Sequence, residues 1–191
     1  LGFGKKDAAL ARYLAHDIDQ AVELIDASAA HFRDYRNDAL VWRSALYKNL
    51  WLLEKQPALV NPAEVLEACD YLVSVPAGQG FAEIAQSFAG AVLRETGDYA
   101  RAEALLLTSF EASSRKKALQ SMAGTAMHLA RLYYDLGDHA KGDRYLKTFI
   151  TTACANRYVV FYDLFFPALI GAAAYCVVKG LHADYAAGLI E

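Results

Sequence analysis

The stretch that decides the fold reads AGAVLRETGDYARA over residues 89–102, and it returns forty residues later as LARLYYDLGDHAKG over residues 129–142. In the first copy, Gly97 can adopt the left-handed conformation that ends a helix, and Asp98 can cap the helix that follows. Gly90 is small, so the two helices can approach each other closely. The pattern predicts two antiparallel helices joined by a short turn.

Turns of this kind recur about every forty residues, which indicates an internal repeat. They centre near Gln56, Gly97, Gly137 and Gly180, with a weaker one near His16. Apolar residues between the turns follow helical spacing, and no segment shows the sustained alternation of a strand. We therefore predict five helix pairs, whose first and second helices span residues 5–15/18–30, 36–54/62–75, 79–96/99–112, 116–136/139–154 and 158–179/183–190.

The predicted fold is all-α: a right-handed superhelix of about five helix-turn-helix units, an α-solenoid, in a single domain over residues 1–191. Composition agrees, since 55% of the residues are hydrophobic, 21% are charged and only 4 are proline. We expect one set of large side chains to be buried between helices: Leu93, Leu106, Leu129, Tyr133, Leu146, Phe149 and Phe166.

The two best copies resemble the tetratricopeptide repeat (TPR) in their turn and in the placement of small residues. They lack the tryptophan of that family, and their period exceeds its length of about 34 residues. Stretched repeats of this kind are similar to the sensor region of MalT-like, LuxR-type, ATP-dependent transcription regulators. The FFP at residues 165–167, followed by Gly180-Leu181, Tyr185 and Leu189-Ile190, resembles the end of the helical region in such proteins.

The resemblance implies a function in signal transduction. We expect a non-catalytic sensor domain of a bacterial transcription regulator, which binds a small effector or a regulatory protein on its concave face. The chain would then be a fragment of a larger protein, and other domains of that protein would bind ATP and DNA. The alternative is a TPR adaptor or scaffold domain that binds peptide segments and is unrelated to transcription.

No constellation of residues predicts catalysis. The glycines and lysines of residues 2–6 lack the spacing of a phosphate-binding loop. The five histidines do not pair at helical metal-ligand spacing, and carboxylate pairs such as Asp17/Asp19 fall at helix ends, where capping is their ordinary role. The three cysteines lie in apolar stretches typical of reduced core thiols in a cytoplasmic protein. We therefore expect no enzyme activity, no metal and no cofactor.

Charge and hydropathy argue against nucleic acid and against a membrane as partners. The net charge is −3, and the one basic run, Arg115-Lys116-Lys117, is interpreted as a solvated helix start, so we expect no direct nucleic-acid binding by this chain. Residues 158–178 are apolar enough to suggest a membrane span, but Asp163 and Pro167 interrupt them. We interpret this segment as a helix buried between others and expect no membrane contact.

The first helix of each pair lines the concave face of a solenoid, and arginine and tyrosine are enriched at binding hot spots. We therefore predict that a ligand or partner contacts the outward positions of the first helices. These are Arg43, Arg94, Arg131, Tyr134, Tyr158 and Tyr162. The alternative is that Glu95 and Asp135 neutralise the arginines as ordinary surface pairs.

Overall fold

Ten α-helices make up most of the residues that the computed structural model describes, which are 2–78, 80–158 and 166–190. No strand occurs in these ranges, so the described part is all-α. Two single turns of 3-10 helix, Pro57–Leu59 and Pro76–Gly78, flank the fourth helix. The helices are α1 (Gly2–Leu14), α2 (Ile18–Asp34), α3 (Asp38–Lys55), α4 (Pro62–Ser74), α5 (Ala82–Glu95), α6 (Tyr99–Arg115), α7 (Leu119–Asp135), α8 (His139–Asn156), α9 (Phe166–Val178) and α10 (Ala183–Ala187).

Each predicted helix corresponds to an observed one, and the ends agree within four residues with one exception. That exception is α9, which begins at Phe166 in the described part, whereas the prediction began at residue 158. Residues 159–165, and with them the predicted site residue Tyr162, lie outside the described residues.

The helices pack on near neighbours in the chain. Each helix from α1 to α10 contacts the next one, and α3, α5, α7 and α9 also contact one another in sequence. Tyr13 of α1 joins this row, because its ring stacks 4.9 Å from the ring of Trp51 in α3 and its hydroxyl donates to Glu54 at 2.9 Å. No two even-numbered helices make comparable contact within the described ranges. The odd-numbered helices therefore form an inner row, and the even-numbered helices lie outside it.

Seven turns in the described ranges share one geometry, as in the Schellman motif: a residue with positive φ follows the helix, and its own N–H group and that of the next residue donate to helix carbonyls. Three of these turns use the glycines near which the sequence predicted a turn. The other four place a side chain in the left-handed region. The seven positions are His16, Arg36, Gly97, Lys117, Gly137, Arg157 and Gly180.

Because these turns share one geometry, the backbone repeats about every twenty residues, which is half the forty-residue period of the sequence. Helices α6, α7 and α8 begin at residues 99, 119 and 139, twenty residues apart. The sequence shows a period of forty because glycine occupies only every second turn. The turn after α3 differs, since Gln56 leads into the 3-10 turn, and Asn61 caps α4 with Pro62 in its first position.

Capping and core packing confirm most of the sequence interpretation. The side chains of Asp98 and Asp138 accept the N–H groups of Arg101 and Lys141, at 3.3 and 3.1 Å. Six predicted core side chains are buried, and the side chain of the seventh, Phe166, lies outside the described part. The confirmed six are Leu93, Leu106, Leu129, Tyr133, Leu146 and Phe149.

Candidate binding groove

A groove of about 530 Å³ opens on the inner row of helices. It runs from α1 across α3 to the start of α5 and the turn between α6 and α7. Three cations and one carboxylate line it, together with aromatic and aliphatic side chains. Its charged and aromatic lining consists of Lys6, Arg43, Tyr47, Phe81, Glu83 and Lys116.

Phe81 forms the apolar floor of the groove. It is buried, and its ring meets that of Phe88 edge to face at 5.9 Å and lies 6.1 Å from Tyr47. The guanidinium of Arg43 lies 4.2 Å above the centre of the Phe81 ring. The Phe81 ring holds the planar guanidinium of Arg43 in place. No carboxylate of the described residues pairs with Arg43, so its N–H groups are available to a ligand.

Lys116 approaches the groove from the turn that follows α6. Its ammonium donates to the carboxylate of Glu83, which is mostly buried, whereas Lys116 itself is exposed. The main chain of Glu83 is fixed as well, since Ser109 Oγ donates to its carbonyl at 2.7 Å. With Lys6 on the opposite wall, the groove carries three positive charges against one negative charge, although the whole chain has a net charge of −3.

Arg94 does not occupy the solvent-facing position that the repeat register predicted. Its side chain is 7% exposed, and it is paired twice: Nε donates to Asp135 at 2.7 Å and Nη1 to Glu95 at 2.5 Å. The partners are those of the surface-pair alternative, but the cation is buried between α5 and α7. The predicted outward position was wrong because Arg94 lies in the last turn of α5, where its side chain faces α7, the first helix of the next pair, and not solvent.

Arg131 lies close to the same charges. Its Nη2 is 3.5 Å from Glu95, and its side chain is 22% exposed. Burial lowers the pKa of this guanidinium, and Arg94 lowers it further, while Glu95 and Asp135 act in the opposite direction. The structure thus brings Arg94 and Arg131 into one cluster, which is separate from the groove at Arg43.

His128 is fully buried one helical turn before Arg131. Burial lowers its pKa to about 3, and the positive charges of Arg131 and Arg94 act in the same direction. The imidazole is therefore neutral at physiological pH, and it adds no charge to the cluster of Arg94, Arg131, Glu95 and Asp135.

The predicted tyrosines are engaged in packing where they are described. The Tyr134 hydroxyl donates to Asp143 at 2.6 Å, and its ring stacks on Tyr175 at 4.8 Å. Burial and the bond to Asp143 both raise the pKa of Tyr134. The carbonyl of Tyr158 accepts a hydrogen bond from Tyr185, and the Tyr158 side chain is half-buried against the core. Of the predicted residues that the structure describes, Arg43 alone lines the groove.

Sequence reasoning missed Lys6, Phe81 and Lys116 as groove residues. Lys116 belongs to the basic run that was interpreted as a helix start, but this run closes α6 at Arg115 and forms the turn after it. Cations suit that position because the carbonyl end of a helix is negative. No local pattern marks Lys6 or Phe81, since only packing brings α1, α3 and α5 together.

The described residues offer little support for a metal site, for a cysteine nucleophile or for a membrane span. No group of three His, Cys, Asp or Glu side chains there is placed to hold a metal ion. Burial raises the pKa of the Cys69 and Cys176 thiols to about 12, so neither is a ready nucleophile. No described helix combines the length and the apolar character that crossing a membrane requires.

Comparisons with known proteins add no homologue: no family model, no curated protein and no solved structure matches this chain.

Proposed function

We propose that this chain is a non-catalytic interaction domain that binds an acidic segment of a partner protein in the groove of Lys6, Arg43 and Lys116. In this proposal the ten helices form a right-handed superhelix of about five TPR-like hairpins, and the groove lies on its concave face. The inner row of odd-numbered helices supports that arrangement, because a solenoid exposes one row of first helices to its ligand.

One observation carries the proposal: an acidic chain concentrates three cations around an aromatic floor. Arg43 is the centre of the site, because its guanidinium is held over Phe81 and lacks a carboxylate partner in the described part. A carboxylate from a ligand could accept both N–H groups of one edge of this fork. An apolar side chain beside that carboxylate could then pack on Tyr47 and Phe81.

The extended shape of the groove favours a peptide over a small effector. The lining comes from α1, α3, α5 and the turn before α7, so a ligand that filled the groove would contact successive helix pairs. An extended chain spans such a distance at about 3.3 Å per residue. The groove is also open to solvent, so that a peptide can enter it from the surface.

Membership of a MalT-like transcription regulator remains a hypothesis within this proposal. What supports it is the repeat of about forty residues and the sequence pattern of the last pair. In that setting the acidic segment would belong to a regulatory protein. A P-loop module and a DNA-binding module in the same polypeptide would support the regulator, and their absence from it would favour the adaptor.

The binding test uses fluorescence anisotropy with a fluorescein-labelled peptide of about ten residues that combines glutamate and phenylalanine. The wild-type chain should bind it, and Arg43→Gln should weaken binding by about 10- to 100-fold, since a charge-assisted hydrogen bond contributes about 1.5–3 kcal/mol. Affinity should also fall as salt is raised.

Two controls make the result specific. Arg12→Gln removes an exposed arginine of α1 that does not line the groove, and it should leave the affinity unchanged. A peptide with glutamine in place of every glutamate should bind weakly. Equal affinity for the two peptides, or no effect of Arg43→Gln, would overturn the proposal.

A further inference from the structure

The groove contains a carboxylate of its own, that of Glu83. This side chain is 12% exposed, whereas the side chain of Lys116, whose ammonium donates to it, is 59% exposed. The pair joins the start of α5 to the turn after α6. One cation of the groove is therefore engaged within the chain, while Arg43 lies over Phe81 without a carboxylate partner among the described residues.

The position of Glu83 suits a carboxylate and fixes its main chain. Helix α5 begins at Ala82, so Glu83 lies in the first turn, where the helix dipole is favourable for a negative charge. Phe81, the residue before the helix, provides no side-chain cap for the free N–H groups of this turn. The carbonyl of Glu83 accepts the hydroxyl of Ser109 at 2.7 Å. Glu83 is thus the fixed member of the pair, and Lys116, with its long and exposed side chain, is the member that can move.

An acidic ligand meets the two cations Arg43 and Lys116 under different conditions. At Arg43 a carboxylate gains a charge-assisted hydrogen bond with nothing to displace. At Lys116 it competes with Glu83, and a Lys116 that turns to the ligand leaves Glu83 mostly buried without its cation, which costs free energy. If Lys116 stays in place, the ligand carboxylate lies beside a second negative charge. In both cases Glu83 opposes the binding of an acidic segment.

We propose that Glu83 is an internal competitor, which occupies Lys116 until an acidic side chain of the partner displaces it. This role rests on the proposed function, because Glu83 and the partner segment share one groove. Arg43 provides the basal affinity, and Lys116 contributes fully only to a segment whose second carboxylate replaces that of Glu83. The partner segment therefore carries at least two acidic residues, one for Arg43 and one for Lys116.

Anisotropy titrations with the labelled peptide of glutamate and phenylalanine test the sign of this effect. Glu83→Gln keeps the shape of the side chain, frees Lys116 and should raise the affinity about 3- to 10-fold, a modest gain because solvent weakens the interactions of an exposed cation. A peptide with a single glutamate should gain less, since its carboxylate is held at Arg43. Circular dichroism should show that the variant is folded like the wild-type chain.

Asp26→Asn is the matched control for Glu83→Gln. Asp26 pairs with Lys48 at 2.9 Å, and neither residue lines the groove. The substitution therefore removes the same charge from another lysine–carboxylate pair and should leave the affinity for the peptide unchanged. An equal gain in both variants would mean that net charge, and not the release of Lys116, attracts the peptide, and it would refute the competitor role.

Lys116→Gln and the double variant complete a thermodynamic cycle. Lys116→Gln leaves Glu83 without its cation and should weaken binding by about 3- to 10-fold, again because the lost cation is exposed. The affinity of the double variant, with Glu83→Gln and Lys116→Gln combined, should lie between those of the two single variants. Additive effects that leave no coupling between the two positions would contradict the competition.

The sign of the effect separates the roles that Glu83 can have. A loss of affinity in Glu83→Gln would show that Glu83 holds Lys116 ready for the ligand, and an unchanged affinity would show that the pair does not meet the ligand. Either result refutes the competitor role but leaves the proposed function intact, as long as binding depends on Arg43. A wild-type chain whose affinity does not depend on Arg43 would remove both.

Discussion

Leu106 of α6 packs directly on the backbone of α5 at Gly90. A β-carbon at residue 90 would lie 2.6 Å from the leucine Cγ and 3.2 Å from the carbonyl oxygen of Ala102. The two helices of this pair are therefore closer than any larger residue at position 90 allows. The small residue that first marked the repeat in the sequence has a steric cause.

Gly90→Ala should destabilise the chain by about 1–2 kcal/mol, because overpacking outweighs the helix propensity that alanine adds. Urea unfolding followed by circular dichroism measures the change. Gly4→Ala is the matched control, since Gly4 lies in α1 with open space around it and should gain stability. Equal effects of the two substitutions would mean that Leu106 moves aside without cost.

Arg94→Ala should lower the free energy of unfolding by about 1–3 kcal/mol, because it leaves Asp135 and Glu95 without their buried partner. The loss is smaller than for a fully buried pair, since both carboxylates keep part of their hydration. Arg12→Ala removes an exposed arginine and should change stability by less than about 0.5 kcal/mol. If Arg94→Ala lowered the free energy of unfolding no more than Arg12→Ala does, Arg94 and its carboxylates would be an ordinary surface pair after all.

Stability should fall with pH between about 6.5 and 5 because of His128. In the unfolded chain this imidazole takes up a proton near its ordinary pKa of 6.5, whereas in the folded chain the pKa is about 3. Its contribution is therefore complete above pH 6.5 and is lost as the pH falls, with a slope of at most about 1.4 kcal/mol per pH unit. Unfolding titrations at several pH values should show a shallower slope for His128→Gln than for the wild-type chain, and an unchanged slope would refute the assignment to His128.

Lys117→Gly should stabilise the chain by about 0.5–1 kcal/mol. Lys117 has φ of 55°, a conformation that disfavours a residue with a β-carbon and suits glycine. Thermal unfolding should show a higher midpoint for the glycine variant. Lys117→Ala keeps the β-carbon and should bring no comparable gain, so a similar rise for alanine would point to the removed charge instead of the backbone.

The helices could be predicted because their signals are local. Gly97 and Gly137 mark turns, Asp98 and Asp138 mark helix starts, and apolar spacing marks the buried face. The turns at Arg36, Lys117 and Arg157 carry no such signal, because the Schellman hydrogen bonds use main-chain groups and tolerate a side chain at moderate cost. The twenty-residue period of the backbone was therefore hidden within a forty-residue period of the sequence.

The candidate site was predictable only in part, because it depends on contacts between distant residues. Arg43 was identified from its place on a first helix, but its neighbour Phe81 lies 38 positions further along the chain. Arg94 looked exposed because Asp135, which pairs with it, is 41 positions away. Residue type and repeat register suggested which arginines matter, but they could not distinguish an arginine over an aromatic ring from one buried between carboxylates.

Packing on near neighbours also affects how the chain opens. No contact comparable to those between successive helices joins α1 or α2 to α9 or α10 in the described part. Helices at either end can therefore detach while the middle stays folded, and amide hydrogen exchange should be slowest in α5 to α8. A peptide in the groove would contact α1, α3, α5 and the start of α7. It would therefore link helices that otherwise contact only their near neighbours in the chain. Binding would therefore suppress opening of the N-terminal helices and make the first seven helices exchange as a single cooperative unit.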